Sequence, residues 1–229
     1  AAYYASMLRV DLDIPRLMLV GRAQTEDDSA LDYNDLYEMY HARFESFKTS
    51  FFAFLERGIC LFIDARDERR IPALVNEMSA DAKRILGVPL IFGAGRVEES
   101  SSLYWRSYDE ACSALEWLSF DQAGSLMRYE DMDLGLILSS VPNDNAAQLV
   151  EHVFRGLSED EIDEYQRVFD AYVRHNGSIV HCAEELFLHK NTLQNRLNKI
   201  ADKTGYNPRR LADFEPLALA FLLRRYLKR

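Results

Sequence analysis

The stretch Ala183-Glu184-Glu185-Leu186-Phe187-Leu188-His189-Lys190-Asn191-Thr192-Leu193-Gln194-Asn195-Arg196-Leu197 decides how the C-terminal part of this 229-residue chain folds. Just upstream, Asn176-Gly177 closes one helix and Ser178 caps the next, so Ile179 to Leu186 reads as a short helix. Phe187-Leu188-His189 follows, and a further helix begins near Lys190 and ends at Thr204-Gly205. Two helices joined by so short a turn form a helix-turn-helix. The helix before them starts at Ser158, which has Glu161 three residues on, the capping-box spacing, and runs to about His175.

At about 100° per residue, Leu193, Leu197, Ile200 and Thr204 share one side of the helix that begins near Lys190, while Asn191, Gln194, Asn195 and Asn198 lie on or near the other. Asn and Gln side chains can pair bidentately with adenine in the major groove, so an amide-rich face can read base edges. His189, Lys190 and Thr192 sit at the helix start, where free N–H groups and the dipole favour a phosphate. From Phe187 to Arg210 the cations Lys190, Arg196, Lys199, Lys203, Arg209 and Arg210 stand against Asp202 alone, a local charge of +5. His189, Lys190, Asn191, Thr192, Gln194, Asn195, Arg196, Asn198 and Lys199 are therefore the candidate DNA-binding residues. The rival reading, a solvated face in an ordinary bundle, explains charge but not the turn spacing, the capping and the amides together.

The whole chain carries −10, which taken alone argues against a polyanionic partner. That charge is unevenly spread. Ala1 to Val150 holds 14 Lys and Arg against 25 Asp and Glu, whereas Glu151 to Arg229 holds 13 against 12. Three cysteines, Cys60, Cys112 and Cys182, share no C-x-x-C spacing and are odd in number, which suits a reducing cytoplasm. No apolar run approaches the roughly 20 residues needed to span a bilayer, so no membrane association is expected. The chain opens at Ala1 and runs at once into the helix-like Tyr3 to Val10, which reads as the end of an N-terminal helix from a longer protein.

The acidic part alternates strands and helices. Arg16 to Gly21 reads as a buried strand, an acidic loop spans Thr25 to Asp28, and Leu36, Tyr37, Tyr40, Phe44 and Phe47 recur at helical spacing within Tyr33 to Phe47. Phe51 to Leu55 and Ile59 to Ile63 form a hairpin about Glu56-Arg57-Gly58. A helix from Ile71 to Leu86 stops at Gly87, Val88 to Phe92 is a strand, and Leu103 to Leu118 is a long helix. An α/β layer fold follows, with helices on one or both faces of the sheet. Gly93-x-Gly95 is half of a dinucleotide fingerprint, but the third glycine is absent and Glu98-Glu99 falls where a pyrophosphate would sit, so no cofactor is expected. Asp27-Asp28 and Asp131-x-Asp133 sit in loops where solvated charge is the ordinary explanation, and His181-Cys182 with His189, the nearest approach to a metal cluster, has no zinc spacing, so no metal is expected.

The hairpin, Leu90-Ile91-Phe92-Gly93-Ala94-Gly95 and Ser107-Tyr108-Asp109-Glu110-Ala111-x-x-Ala114-Leu115 resemble the GGDEF-like central domain of CdaR/PucR transcription regulators. Diguanylate cyclases of that fold hold metal and GTP through a Gly-Gly-Asp-Glu-Phe turn and aspartates after the first strand. Here the turn is Glu-Arg-Gly and the strand is followed by Gly21-Arg22-Ala23-Gln24, so two-metal activation of a hydroxyl has no ligands and no enzyme activity is expected. Leu186-Phe187-Leu188-His189-Lys190-Asn191-Thr192-Leu193-x-x-Arg196-Leu197-x-x-Ile200-x-x-x-Thr204-Gly205 resembles the C-terminal signature of the same family, and Ala183 to Leu197 the Fis-type helix-turn-helix. In the family signature Lys190 is usually Arg and Asn195 often aromatic. Phe214 to Leu227 fits its closing helix.

The expected layout is the end of an N-terminal helix over 1–10, a degenerate GGDEF-like, ferredoxin-like sheet domain over 11–130, a helical connector over 131–157 and an all-α helix-turn-helix domain over 158–229. The resemblance implies a cytoplasmic, sequence-specific regulator of metabolic genes of the sugar-diacid or purine type. It would bind double-stranded DNA as a homodimer or higher homo-oligomer, with a small-molecule effector sensed by an N-terminal domain absent from this sequence. The competing readings are a nucleotide-binding or cyclase-type signalling enzyme built on the α/β domain, and an interaction module whose basic helix meets an acidic protein.

Overall fold

The computed structural model describes residues 11, 14–25, 37, 40–41, 43–44, 46–55, 58–121 and 124–228. The helix-like 3–10, residues 26–28 of the acidic loop, residues 33–36 of the first helix and Glu56-Arg57 of the turn lie outside the described residues. The chain divides into two compact units, Ala1–Ser140 and Val141–Arg229.

The first unit is built on strand β1 (Arg16–Ala23), an almost unbroken apolar run buried on both faces. Around it lie β2 (Phe51–Leu55), β3 (Gly58–Asp64), β4 (Leu90–Ala94) and β5 (Leu126–Arg128), in the order β2-β3-β1-β4-β5. β1 is antiparallel to both β3 and β4, and β5 joins β4 in parallel. The first four strands thus keep the expected ferredoxin-like order.

Because side chains alternate along a strand, Leu17 and Leu19 face one way and Met18 and Val20 the other. Leu17 and Leu19 pack with Ile71, Val75 and Met78 of α1 (Ile71–Leu86) and with Tyr40 and Phe44, which are helical. Met18 and Val20 pack with Ala111, Leu115 and Leu118 of α2 (Tyr104–Asp121). Helices therefore cover both faces, giving three layers. The Gly93 and Gly95 pair has a packing reason: a Cβ on either would stand 2.0 Å from a backbone carbonyl oxygen of α2, that of Ala111 or of Ser107. The half fingerprint is a seat for a helix.

The stretch 131–157 divides between the units. Helix α3 (Asp133–Leu138) falls in the first, where Gly135 lies against the Trp117 ring. Helix α4 (Asn143–Val153) starts at Asn143, directly after Pro142. Its Ala146 and Val153 are buried, and Val153 belongs to the core of the second unit.

In that unit α5 (Glu159–Arg174) opens with the full capping box of Ser158 and Glu161. It is followed by α6 (Ile179–Glu185), α7 (Lys190–Thr204) and α8 (Leu211–Leu227). Ile162, Phe169, Cys182, Ala183, Leu193, Leu197, Ile200, Leu217 and Phe221 form one core. The buried Arg224 of α8 donates to Gln166 Oε1 at 2.8 Å and to Glu159 and Asp163 at 2.6 Å, tying the last helix to α5.

Candidate nucleic-acid interface

Helix α6 ends in a Schellman motif: Phe187 N–H donates to the Glu184 carbonyl at 3.2 Å and Leu188 N–H to that of Ala183 at 2.8 Å. The chain then enters α7 through His189, whose Nδ1 accepts the Asn191 N–H at 3.2 Å as N-cap. Ala183 is buried at this corner, and its small side chain lets the two helices close on each other. On α7, Leu193, Leu197 and Ile200 are fully buried. Their burial turns the opposite face outward, and Lys190, Asn191, Thr192, Gln194, Asn195, Asn198 and Lys199 are all exposed, as is His189. Eight of the nine residues expected at the interface thus share solvent access on one helix and its cap.

Arg196 is the exception. It is half-buried, and its Nη1 lies 3.2 Å from the Glu164 carboxylate of α5. Lys203 likewise faces Glu161 at 3.6 Å and Arg210 faces Asp213 at 3.6 Å. The Glu161 carboxyl is held below its usual range, chiefly by the Ser158 backbone N–H and secondarily by Lys203. Three of the six cations counted in sequence thus have acidic neighbours. The +5 of the linear stretch overstates the local field, because Glu161 and Glu164 arrive from a helix over twenty residues upstream. The acid-rich start of α5 was the signal available in sequence, but its pairing with α7 is a tertiary fact.

Lys190 and Lys199 have no acidic partner among the described residues. Arg209 donates to Asn198 Oδ1 at 2.8 Å, which orients the Asn198 amide and leaves its NH₂ outward. Arg209 therefore joins the face as a cation that the expected set did not include. Phe187 is a second addition: the residue is 96% exposed.

A separate knot fixes α6 to α5. Glu185 accepts from Arg174, and His175 Nε2 lies 2.6 Å from it; these partners, Arg174 first, hold its carboxyl below the usual range. Cys182, buried, donates its S–H to the Ala171 carbonyl at 3.3 Å, while His189 is occupied as a cap. The His181, Cys182 and His189 set is thus not assembled for a metal. Among the described residues no group of three His, Cys, Asp or Glu is placed to hold one. In the first unit β1 runs on to Ala23, so Arg22 lies within the strand and not after it as read from sequence, and it donates to Ser119 Oγ at 2.7 Å. No described helix is long and apolar enough to cross a membrane.

Two stretches of the chain match known families. Residues 1–117 match the GGDEF-like domain family, and residues 165–223 match the PucR C-terminal helix-turn-helix domain. The carbohydrate diacid regulator of Escherichia coli K12 is 32% identical over 95 residues, 41% of this chain and 24% of the relative, so the chain matches about a quarter of that protein's length. A crystal structure of a regulator of polyketide synthase expression from Bifidobacterium adolescentis aligns with 100% of this chain and 87% of that one, at 16% identity and a TM-score of 0.36.

Proposed function

Because this chain belongs to the CdaR/PucR family of regulators, we propose that it binds duplex DNA sequence-specifically, with α7 in the major groove, and regulates metabolic genes. The observation that carries the reading is the split of α7 into a fully buried Leu193-Leu197-Ile200 face and an exposed amide and lysine face. An amide row between cations suits base edges flanked by phosphates. Asn191, Gln194, Asn195 and Asn198 would read bases. His189, Lys190, Thr192 and Lys199 would hold the backbone, and Arg196 would brace α7 against Glu164.

One helix-turn-helix covers a short half-site, so a homodimer or higher homo-oligomer on a repeated site supplies working affinity. The name of the Escherichia coli relative favours genes for sugar diacids over purines. We read the α/β unit as a non-catalytic body, with a small-molecule effector acting through a sensing domain elsewhere in the full protein. The role of Gly93 and Gly95 in seating α2 supports this over the nucleotide-binding reading.

The test is selection of duplexes from a randomised pool by the chain, followed by anisotropy titrations of the enriched duplex and a scrambled one. At least about a thousandfold preference for the enriched duplex is expected of a specific binder at physiological salt. No enrichment, or heat released on titrating GTP with Mg²⁺, would overturn the reading in favour of an interaction module or a nucleotide enzyme respectively.

A further inference from the structure

We propose that Phe187 is a DNA-contacting residue, its ring lying on the sugar-phosphate wall of the groove that α7 enters. The inference rests on the DNA-binding reading above and adds to it a residue that neither charge nor hydrogen bonding marks.

Neither the backbone nor the core accounts for a phenylalanine at 187. The residue takes φ +52° at the C′ position of the Schellman motif, a left-handed conformation that a Cβ disfavours and a bulky side chain disfavours most. Elsewhere the chain follows the rule. The left-handed residue after α1 is Gly87, after α5 Asn176 and after α7 Gly205, with φ of 79°, 49° and 80°. Among the described residues Phe187 and Asn176 are the non-glycine residues with positive φ, and Asn tolerates that region through its short polar side chain. Nor does packing repay the strain, since Phe187 is 96% exposed while Leu188, next to it, is partly buried. Folding gains nothing from this side chain.

Position supplies the missing reason. The turn joins the helix that crosses the DNA backbone to the helix that enters the groove, so it passes beside the sugar-phosphate strand. Two and three residues after Phe187 come the exposed His189 and Lys190, whose donors suit phosphate oxygens. Between successive phosphates the strand presents the C–H edges of deoxyribose, an apolar surface for which a ring is the fitting contact. A backbone contact of this kind strengthens binding to any sequence and sets the depth of α7 without reading a base.

The experiment replaces Phe187 in the full chain by Gly, by Asn and by Tyr. Phe187→Gly and Phe187→Asn suit the left-handed backbone, so both should melt at or above the wild-type temperature. Both should bind the enriched duplex about tenfold more weakly and the scrambled duplex weaker by the same factor, as befits loss of a buried aromatic surface. The salt dependence should not change, since no charge is lost. Phe187→Tyr keeps the ring and should keep the affinity. If Gly and Asn variants bind as wild type does, or only the enriched duplex is affected, the assignment of Phe187 is overturned while DNA binding stands. If the wild-type chain binds neither duplex, the DNA reading itself fails.

Discussion

Replacing Lys190 by Ala removes one of three cations, Lys190, Lys199 and Arg209, that face solvent near α7 without an acidic partner among the described residues. Each phosphate neutralised contributes about 0.9 to the slope of log K against log salt on B-DNA, so three contacts give a slope of about −2.7 per bound copy. Between 50 and 200 mM salt the affinity of the wild-type chain should fall about 40-fold, and that of Lys190→Ala, with a slope of about −1.8, only about 12-fold. The local sequence charge of +5 would instead demand a slope of about −4.5 and a loss of about 500-fold over the same range. The two figures separate cleanly in anisotropy titrations at four or five salt concentrations, with stoichiometry measured at each so that slopes are expressed per copy. A wild-type slope steeper than −4 would show that Glu161, Glu164 and Asp213 do not neutralise the cations beside them, and a Lys190→Ala slope equal to wild type would remove Lys190 from the interface.

Acid should weaken the second unit through the knot between α5 and α8. Lys228 and Arg224 bring the Glu159 carboxyl down to about 2 from its ordinary 4.5, and Arg224 lowers Asp163 as well. A carboxyl lowered on folding stabilises the protein fully above its unfolded value and progressively less as pH falls through the folded one. Melting temperature should therefore drop between pH 5 and about 2, and drop less in a Glu159→Gln, Asp163→Asn variant; identical acid profiles for the two proteins would sink the argument. In the first unit, Gly93→Ala should cost about 2 kcal/mol or more, since its Cβ would meet backbone and not a pliable side chain. An unchanged denaturant midpoint would mean that α2 does not lie so close to β4.

What could be read from sequence was what local chemistry determines. Gly87, Ser158 and Gly205 placed the ends of α1, α5 and α7 within a residue, because capping depends on the nearest few positions. The amide face of α7 followed from helical geometry alone. β5 went unread because three half-buried residues carry no periodicity. α8 begins at Leu211, three residues before the apolar run that revealed it, since its first turn is largely exposed. The charges of the interface were misjudged for a different reason: the ion pairs between α5 and α7, Glu164 with Arg196 and Glu161 with Lys203, join residues 32 and 42 apart, and a linear window cannot count them. Phe187 fell within the family-like stretch, but the chemistry that marked its neighbours, charge and hydrogen bonding, did not mark it.

The seating of α2 bears on how the first unit could take part in signalling. Switching proteins commonly pass a signal by sliding one helix an ångström or two across its support, which needs side chains that can exchange one packing for another. Here two glycines bring the backbone of β4 against the backbone of α2, and Met18 N–H of β1 is fastened to Ser107 Oγ of the same helix at 2.8 Å. Backbone in contact with backbone has no second packing to adopt. Strands and helix therefore travel together, and any message relayed by this unit is carried in its placement as a whole, with its interior unchanged.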